Sequence, residues 1–301
     1  MKKTIIASAI AAVVAAPAAF ADVSISGQIN VEFSDQETGE TSGNHHTDVV
    51  LKGSEDLGNG MKAGFVWHMV SDGDGNDAGA VAVAGDKRID LSGDFGTISA
   101  GRMEPFVENK LASVANMDAS EELDLEFTGT ATNAARSDTG IRFTTPNMSG
   151  ITIGVEAYAD ENTTGDDWDT TAVYAKYSNG GLTVQLASEN NAVATVGDTT
   201  AISAAYKMGD IEVRAVNIDL DSTTAANDAE HTVVGASYTM GANQFAVATV
   251  ADATGNVSAK DGDTIYSLKH SLSKSTSVYL VHFSDDTGST DETLVGMKHS
   301  F

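Results

Sequence analysis

The chain has no cysteine. That excludes a disulfide framework and every cysteine-ligated metal site. It also has few basic residues, 17 Lys and Arg against 43 Asp and Glu, for a formal charge of −26. Phosphate affinity rests on clustered Lys and Arg, so this balance disfavours nucleic acid as a partner. It attracts cations and repels anions instead. Beyond the first residues, no apolar run reaches the roughly 18 residues of a spanning helix. Gly-x-Ser-x-Gly and His-Glu-x-x-His are both missing, and the Gly-rich "GDGNDAG" is followed by neither a helix nor a parallel sheet. Nothing singles out a catalytic group, and the expectation is a protein that is not an enzyme and needs no cofactor.

What is present begins with an export leader. Lys2 and Lys3 precede an apolar run from Ile5 to Ala16, and Ala19-Phe20-Ala21 makes a small-x-small cleavage site. Cleavage leaves residues 22–301, and removal of the leader's lysines makes the remaining chain more acidic still.

The rest is dominated by period two. In "DVSISGQINVEF", Val23, Ile25, Ile29, Val31 and Phe33 point one way, and Ser24, Ser26, Gln28, Asn30 and Glu32 the other. Met61, Ala63, Phe65, Trp67 and Met69 alternate with Lys62, Gly64 and His68. Similar alternation runs through Ile151–Ala157, Leu182–Leu186, Ile211–Ala215 and Tyr266–Leu268. Each is a strand with one apolar and one polar face. Sixteen such segments are separated by seven short turns, such as "YSNGG" and "KMGD", and eight longer, Asp-rich connectors. The two kinds take strict turns, as in an up-and-down meander whose ends differ chemically.

A soluble sandwich turns its apolar faces inward onto a core. A membrane barrel turns them outward to lipid and encloses water. Glu32, Lys52, Lys62, Glu156, Arg214 and Lys269 on the polar faces suit a wet lumen. The short-turn and long-connector asymmetry suits a barrel as well. The expected fold class is therefore all-β: a transmembrane antiparallel up-and-down barrel of 16 strands. Lipid forbids open sheet edges, so the terminal "LVGMKHSF" is expected to pair with the first strand, with Phe301 at the membrane interface.

One connector is far longer than the others, from about 103 to 135. Val107 to Met117 has helix-compatible apolar spacing, and the stretch holds Glu104, Glu108, Asp118, Glu121, Glu122, Asp124 and Glu126. Long connectors of this kind inside a compact domain are usually functional.

In order along the chain, "LKGSEDLGNGMKAGF" at Leu51–Phe65, "FGTISAGR" at Phe95–Arg102, "RSDTGIRFTTPNMSG" at Arg136–Gly150 and the closing "VGMKHSF" resemble the Gram-negative general porins. Those are trimeric, sixteen-stranded diffusion channels of the bacterial outer membrane. The resemblance implies passive passage of small hydrophilic solutes and ions, and a third long loop folded into the lumen. It further implies a homotrimer, contact with outer-membrane lipid and lipopolysaccharide, and delivery by the barrel-assembly machinery through Phe301. Carried over residue by residue, Arg102, Arg136 and Lys52 belong to the basic wall of the constriction, and Glu122 and Glu126 to the acidic loop facing it. Arg88 and Arg142 either join that wall or sit at turn ends as solvated charges. The pattern departs at Asp48, where the family commonly has a third wall arginine. Its parity with Lys52 aims it into the lumen, and the charge reversal implies a preference for cations.

Two smaller signals remain. "SDGDGNDAG" spaces Asp72, Asp74 and Asn76 like the first ligands of a helix-loop-helix calcium loop, though the Gly and Glu such a loop requires are replaced by Asp77 and Val83. Asp72 and Asp74 are thus the candidate ligands for loosely bound Ca²⁺ or Mg²⁺ in an outer loop. His45 and His46 read as polar residues of another outer loop. The alternative function, from a different class, is a surface interaction or divalent-cation-binding barrel.

Overall fold

The computed structural model describes residues 22–36, 41–73, 85–107, 137–159, 168, 170–191, 197–222, 228–255, 261–286 and 291–301. These form sixteen strands. The first eight are β1 (Asp22–Gln36), β2 (Thr41–Gly58), β3 (Met61–Gly73), β4 (Lys87–Gly93), β5 (Gly96–Met103), β6 (Ser137–Thr144), β7 (Ile151–Ala159) and β8 (Thr170–Asn179). The second eight are β9 (Leu182–Asn191), β10 (Asp198–Met208), β11 (Ile211–Asp221), β12 (Ala229–Met240), β13 (Asn243–Gly255), β14 (Thr264–Ser271), β15 (Thr276–Ser284) and β16 (Glu292–Ser300). Each pairs with its neighbours in sequence, and β1 pairs antiparallel with β16, so the sheet is a closed barrel. The seam runs to the last residue: Gly27 and Phe301 exchange both backbone hydrogen bonds, each 3.0 Å. Gly27 has to be glycine there, because a Cβ would strike the carbonyl oxygen of Asp48 and the Phe301 ring.

Closure decides the faces. Val23, Ile25, Phe33, Val155, Val173, Ile202 and Val213 are among the large apolar side chains left exposed, all on the outward parity. In a soluble protein so many would mark an aggregating surface. On a closed barrel they form the band that meets lipid.

The alternation holds a second feature. Along β11, Ile211, Val213 and Ala215 are outward, but apolar character then moves inward, to Val216, Ile218 and Leu220. The register against β10 and β12 runs through without a shift, so the strand does not flip. Instead the surroundings change. Outward Asn217 donates to Glu230 Oε1 at 3.0 Å and Thr232 Oγ1 at 2.8 Å, and Asp219 and Asp221 are exposed. Charges facing lipid are destabilising, so these residues mark where the apolar band ends on the long-connector side. Inside that end lies a buried cluster including Val216, Ile218, Leu220, Val233, Val250, Ile265, Val281 and Leu294, joined by Phe106 and Val107. The alternation in the sequence reads as polar inside throughout; in the structure that holds for only part of the wall.

Candidate functional site

The inner wall has two sides. On β8 to β16 it is largely closed: Ala172, Tyr174, Ala187, Ala201 and Val281 are all buried. On β2 to β4 the inward side chains Asp48, Val50, His68, Arg88 and Asp90 are only partly buried, and Lys52 and Lys62 are exposed. Water therefore reaches the β2–β4 wall, and the charged groups there are the candidate site.

Its centre is Asp48. Alternation along β2 sets His46, Asp48, Val50 and Lys52 on one face, and register puts Gln28 of β1 and Val70 of β3 beside Asp48. Gln28 Nε2 donates to Asp48 Oδ2 at 3.0 Å. His46 Nε2 lies 3.0 Å from the same oxygen, and His68 Nε2 lies 2.7 Å from Oδ1. An ionised carboxylate only accepts, so both rings carry their proton on Nε2. Gly85 makes room for this: a Cβ there would overlap the His68 ring. The His68 backbone N–H is anchored to the Asp86 carbonyl at 2.8 Å.

Asp86 extends the site. Its carboxylate pairs with Arg88 and accepts the Glu104 backbone N–H at 3.2 Å, and Arg88 Nε also reaches Asp90 at 3.1 Å. Along this wall, Asp86 and Asp90 share the Arg88 guanidinium, with Lys52 and Lys62 nearer the short-turn end.

A second cluster holds the start of the third long connector. Arg142, inward on β6, gives Nε to Glu156 Oε2 at 2.7 Å and Nη2 to the Tyr158 hydroxyl at 2.9 Å and the Glu104 carbonyl at 2.5 Å. Glu156, buried on β7, also accepts the Phe106 backbone N–H at 2.7 Å and the Tyr158 hydroxyl at 3.0 Å. The Phe106 ring lies 4.3 Å beneath the guanidinium carbon and stacks on Tyr174 of β8, centroids 4.9 Å apart. Glycine at 154 leaves space for that ring. Residues Glu104 to Phe106 are thereby fastened to the inner wall of β6–β8. At the barrel seam, the Tyr279 hydroxyl sits 2.5 Å from both Asn30 Oδ1 and Glu32 Oε1, tying β15 across to β1.

Against the sequence expectations, Asp48 and Lys52 lie on the inward face. Of the two uncommitted arginines, Arg88 and Arg142 are both inward. Arg102 is half-buried and pairs with Lys87 of β4, but the register against β6 shifts between Gly101 and Met103, with Gly101 at a φ of +133°, so the alternation along β5 does not carry through to its side chain. One loop reading is corrected: His45 and His46 belong to β2. Asp72 is placed in β3, paired with His46. At 18 residues β2 is longer than the roughly 9–11 that cross a bilayer, so its polar far end stays in strand beyond the lipid. Arg136, Glu122, Glu126 and Asp74 lie outside the described residues, as do the leader, residues 1–21, and the connector beyond Val107. The expected folding of that connector into the lumen lies outside them too. Arg142, the anchor of the connector's start, is visible in the sequence as the inward member between outward Ile141 and Phe143.

A closed sixteen-stranded barrel, apolar outside and charged within, defines a membrane-spanning β-barrel of the outer-membrane type. The Gram-negative porin family matches residues 7–289 of the chain. The chain belongs to that family, and its place is the outer membrane. It is 32% identical over 204 residues to the major outer membrane protein P.IB of Neisseria gonorrhoeae, a match covering 62% of this chain and 56% of that protein. To the outer membrane porin protein 32 of Delftia acidovorans it is 30% identical over 215 residues, covering 64% and 61%. The chain thus spans less than two thirds of the length of these relatives. Among solved structures, the anion-selective porin from Comamonas acidovorans superposes with a TM-score of 0.69 at 21% identity, covering 94% of this chain and all of that one. The OmpF of Salmonella typhi, in complex with daunomycin, gives a TM-score of 0.77 at 14% identity, covering 93% and 97%. These two likenesses speak to the fold.

Proposed function

We propose that the protein is an outer-membrane diffusion channel for small hydrophilic solutes and ions, and that it prefers cations. A sixteen-stranded barrel is wide enough to leave an aqueous path. The observation that carries the reading is the carboxylate of Asp48 on the water-accessible β2–β4 wall, with Asp86 and Asp90 sharing Arg88 and with Lys52 and Lys62 nearer the short-turn end. Negative wall charge in a narrow aqueous path concentrates cations and excludes anions. The Comamonas porin is anion-selective, so this chain is proposed to differ from it in sign, through carboxylate at Asp48. Passage needs no covalent step and no cofactor. Homotrimeric assembly, contact with lipopolysaccharide, and delivery by the assembly machinery through Phe301 belong to the same proposal, on the strength of family membership.

The test is planar-bilayer recording of the purified protein in a KCl gradient. Discrete, lasting current steps with a reversal potential favouring K⁺ are expected. Anion selectivity would refute the charge reading. A barrel that inserts but passes no current would refute the channel itself and leave a surface-interaction role in its place.

A further inference from the structure

We infer that His46 and His68 are selectivity-determining residues that make the charge of the Asp48 site depend on protons, so that the cation preference weakens in acid. This rests on the channel reading above.

The geometry is specific. Two imidazoles on adjacent strands give their Nε2 protons to opposite oxygens of one carboxylate, at 3.0 and 2.7 Å. An imidazole that donates through Nε2 becomes a cation when its Nδ1 is protonated as well. The three side chains retain 18–22% of their surface exposure, so water and protons reach them. With both rings neutral the site carries the single negative charge of Asp48. With both protonated it carries one net positive charge. Imidazole is the side chain whose ordinary titration, near pH 6.5, falls in this range.

The surrounding charges do not cancel the swing. On β1 the inward neighbours are Gln28 and Asn30, both neutral, and then buried Glu32. On β2 the next charge is Lys52, and on β3 the register partner of His46 is Asp72. Beside β4 stand Asp86 and Asp90, both engaged by Arg88, and at the end of β5 stands Glu104. Of these neighbouring groups, the two histidines are the ones whose side-chain type changes charge between pH 8 and 5.5. A rearrangement into a metal site is not what the geometry favours, because the two rings address different oxygens and do not converge on one point.

The experiment compares the wild-type channel with His46→Gln/His68→Gln. Glutamine keeps an N–H donor for Asp48 but does not titrate. Reversal potentials are read in a KCl gradient at several values between pH 8 and 5.5. Wild type is expected to lose on the order of tenfold in K⁺ over Cl⁻ permeability as the pH falls through this range, for two units of charge changing at roughly 10 Å in water. The double variant is expected to stay flat. A flat wild-type profile, or the same profile in the double variant, overturns the inference. If the double variant does not assemble, His46→Gln alone decides: a shift cut to about half supports the inference, and an undiminished shift overturns it. A wild-type channel that is anion-preferring at pH 8, yet still moves toward anions through the histidines, would sink the selectivity proposal while leaving this one standing.

Discussion

Replacing Arg142 by methionine is expected to cost the barrel about 3–5 kcal/mol and to make its current unsteady. Breaking a buried ion pair by removing one partner leaves an uncompensated charge, and that is the origin of the large figure. Here the orphan is Glu156, whose side chain has no exposed surface and whose Oε2 lies 2.6 Å from the guanidinium. The same change removes the cation above the Phe106 ring and the donor to the Glu104 carbonyl. The first residues of the third long connector then lose most of what ties them to β6. The urea midpoint of the folded barrel in lipid vesicles reads the stability, and single-channel noise reads the connector. Arg142→Met/Glu156→Gln, which removes both charges, is expected to recover most of the loss. A single variant within 0.5 kcal/mol of wild type would show that the cluster does not hold the connector.

The second large effect is electrical. Asp48→Arg changes the wall by two charges at the site both histidines address. At about 10 Å in water, each unit of charge is worth roughly 0.4 kcal/mol to a passing ion, with opposite sign for K⁺ and Cl⁻, and so about fourfold in their permeability ratio. Asp48→Asn is therefore expected to lower the K⁺ over Cl⁻ permeability ratio about fourfold. Asp48→Arg is expected to lower it on the order of tenfold, toward or past reversal. All reversal potentials in this comparison are read at pH 8. An unchanged potential in Asp48→Arg would place Asp48 off the ion path.

Most of the barrel was legible as period two, because one face of every strand meets lipid and the other does not. The strand number and the alternation of short and long connectors follow from the same pattern. Alternation was misleading where the environment of a strand changes along its length. Val216, Ile218 and Leu220 are apolar and inward because the outer surface at that height is wet, and no local signal in "IEVRAVNIDLD" says where lipid ends. His46 was misplaced for a related reason: polar residues at a strand end look like loop, although above the bilayer they suit a strand as well. Its partnership with Asp48 and His68 then depends on register across β2 and β3, which single strands do not reveal. Arg102 shows another limit: the alternation along "FGTISAGR" breaks at Gly101, where the register against β6 shifts. Arg142 stood on the correct face throughout, but its work became visible only once Glu104 and Phe106 were brought beside it.

The central claim is that Asp48 borders the aqueous path while residues such as Val155 face lipid. The absence of cysteine makes a direct measurement possible, since any introduced thiol is unique. Asp48→Cys and Val155→Cys channels are recorded singly while a water-soluble, positively charged methanethiosulfonate is added. The account predicts a stepwise change in current for the thiol at position 48 and none for the thiol at 155. Current that is indifferent to modification at 48, or that steps on modification at 155, would contradict it.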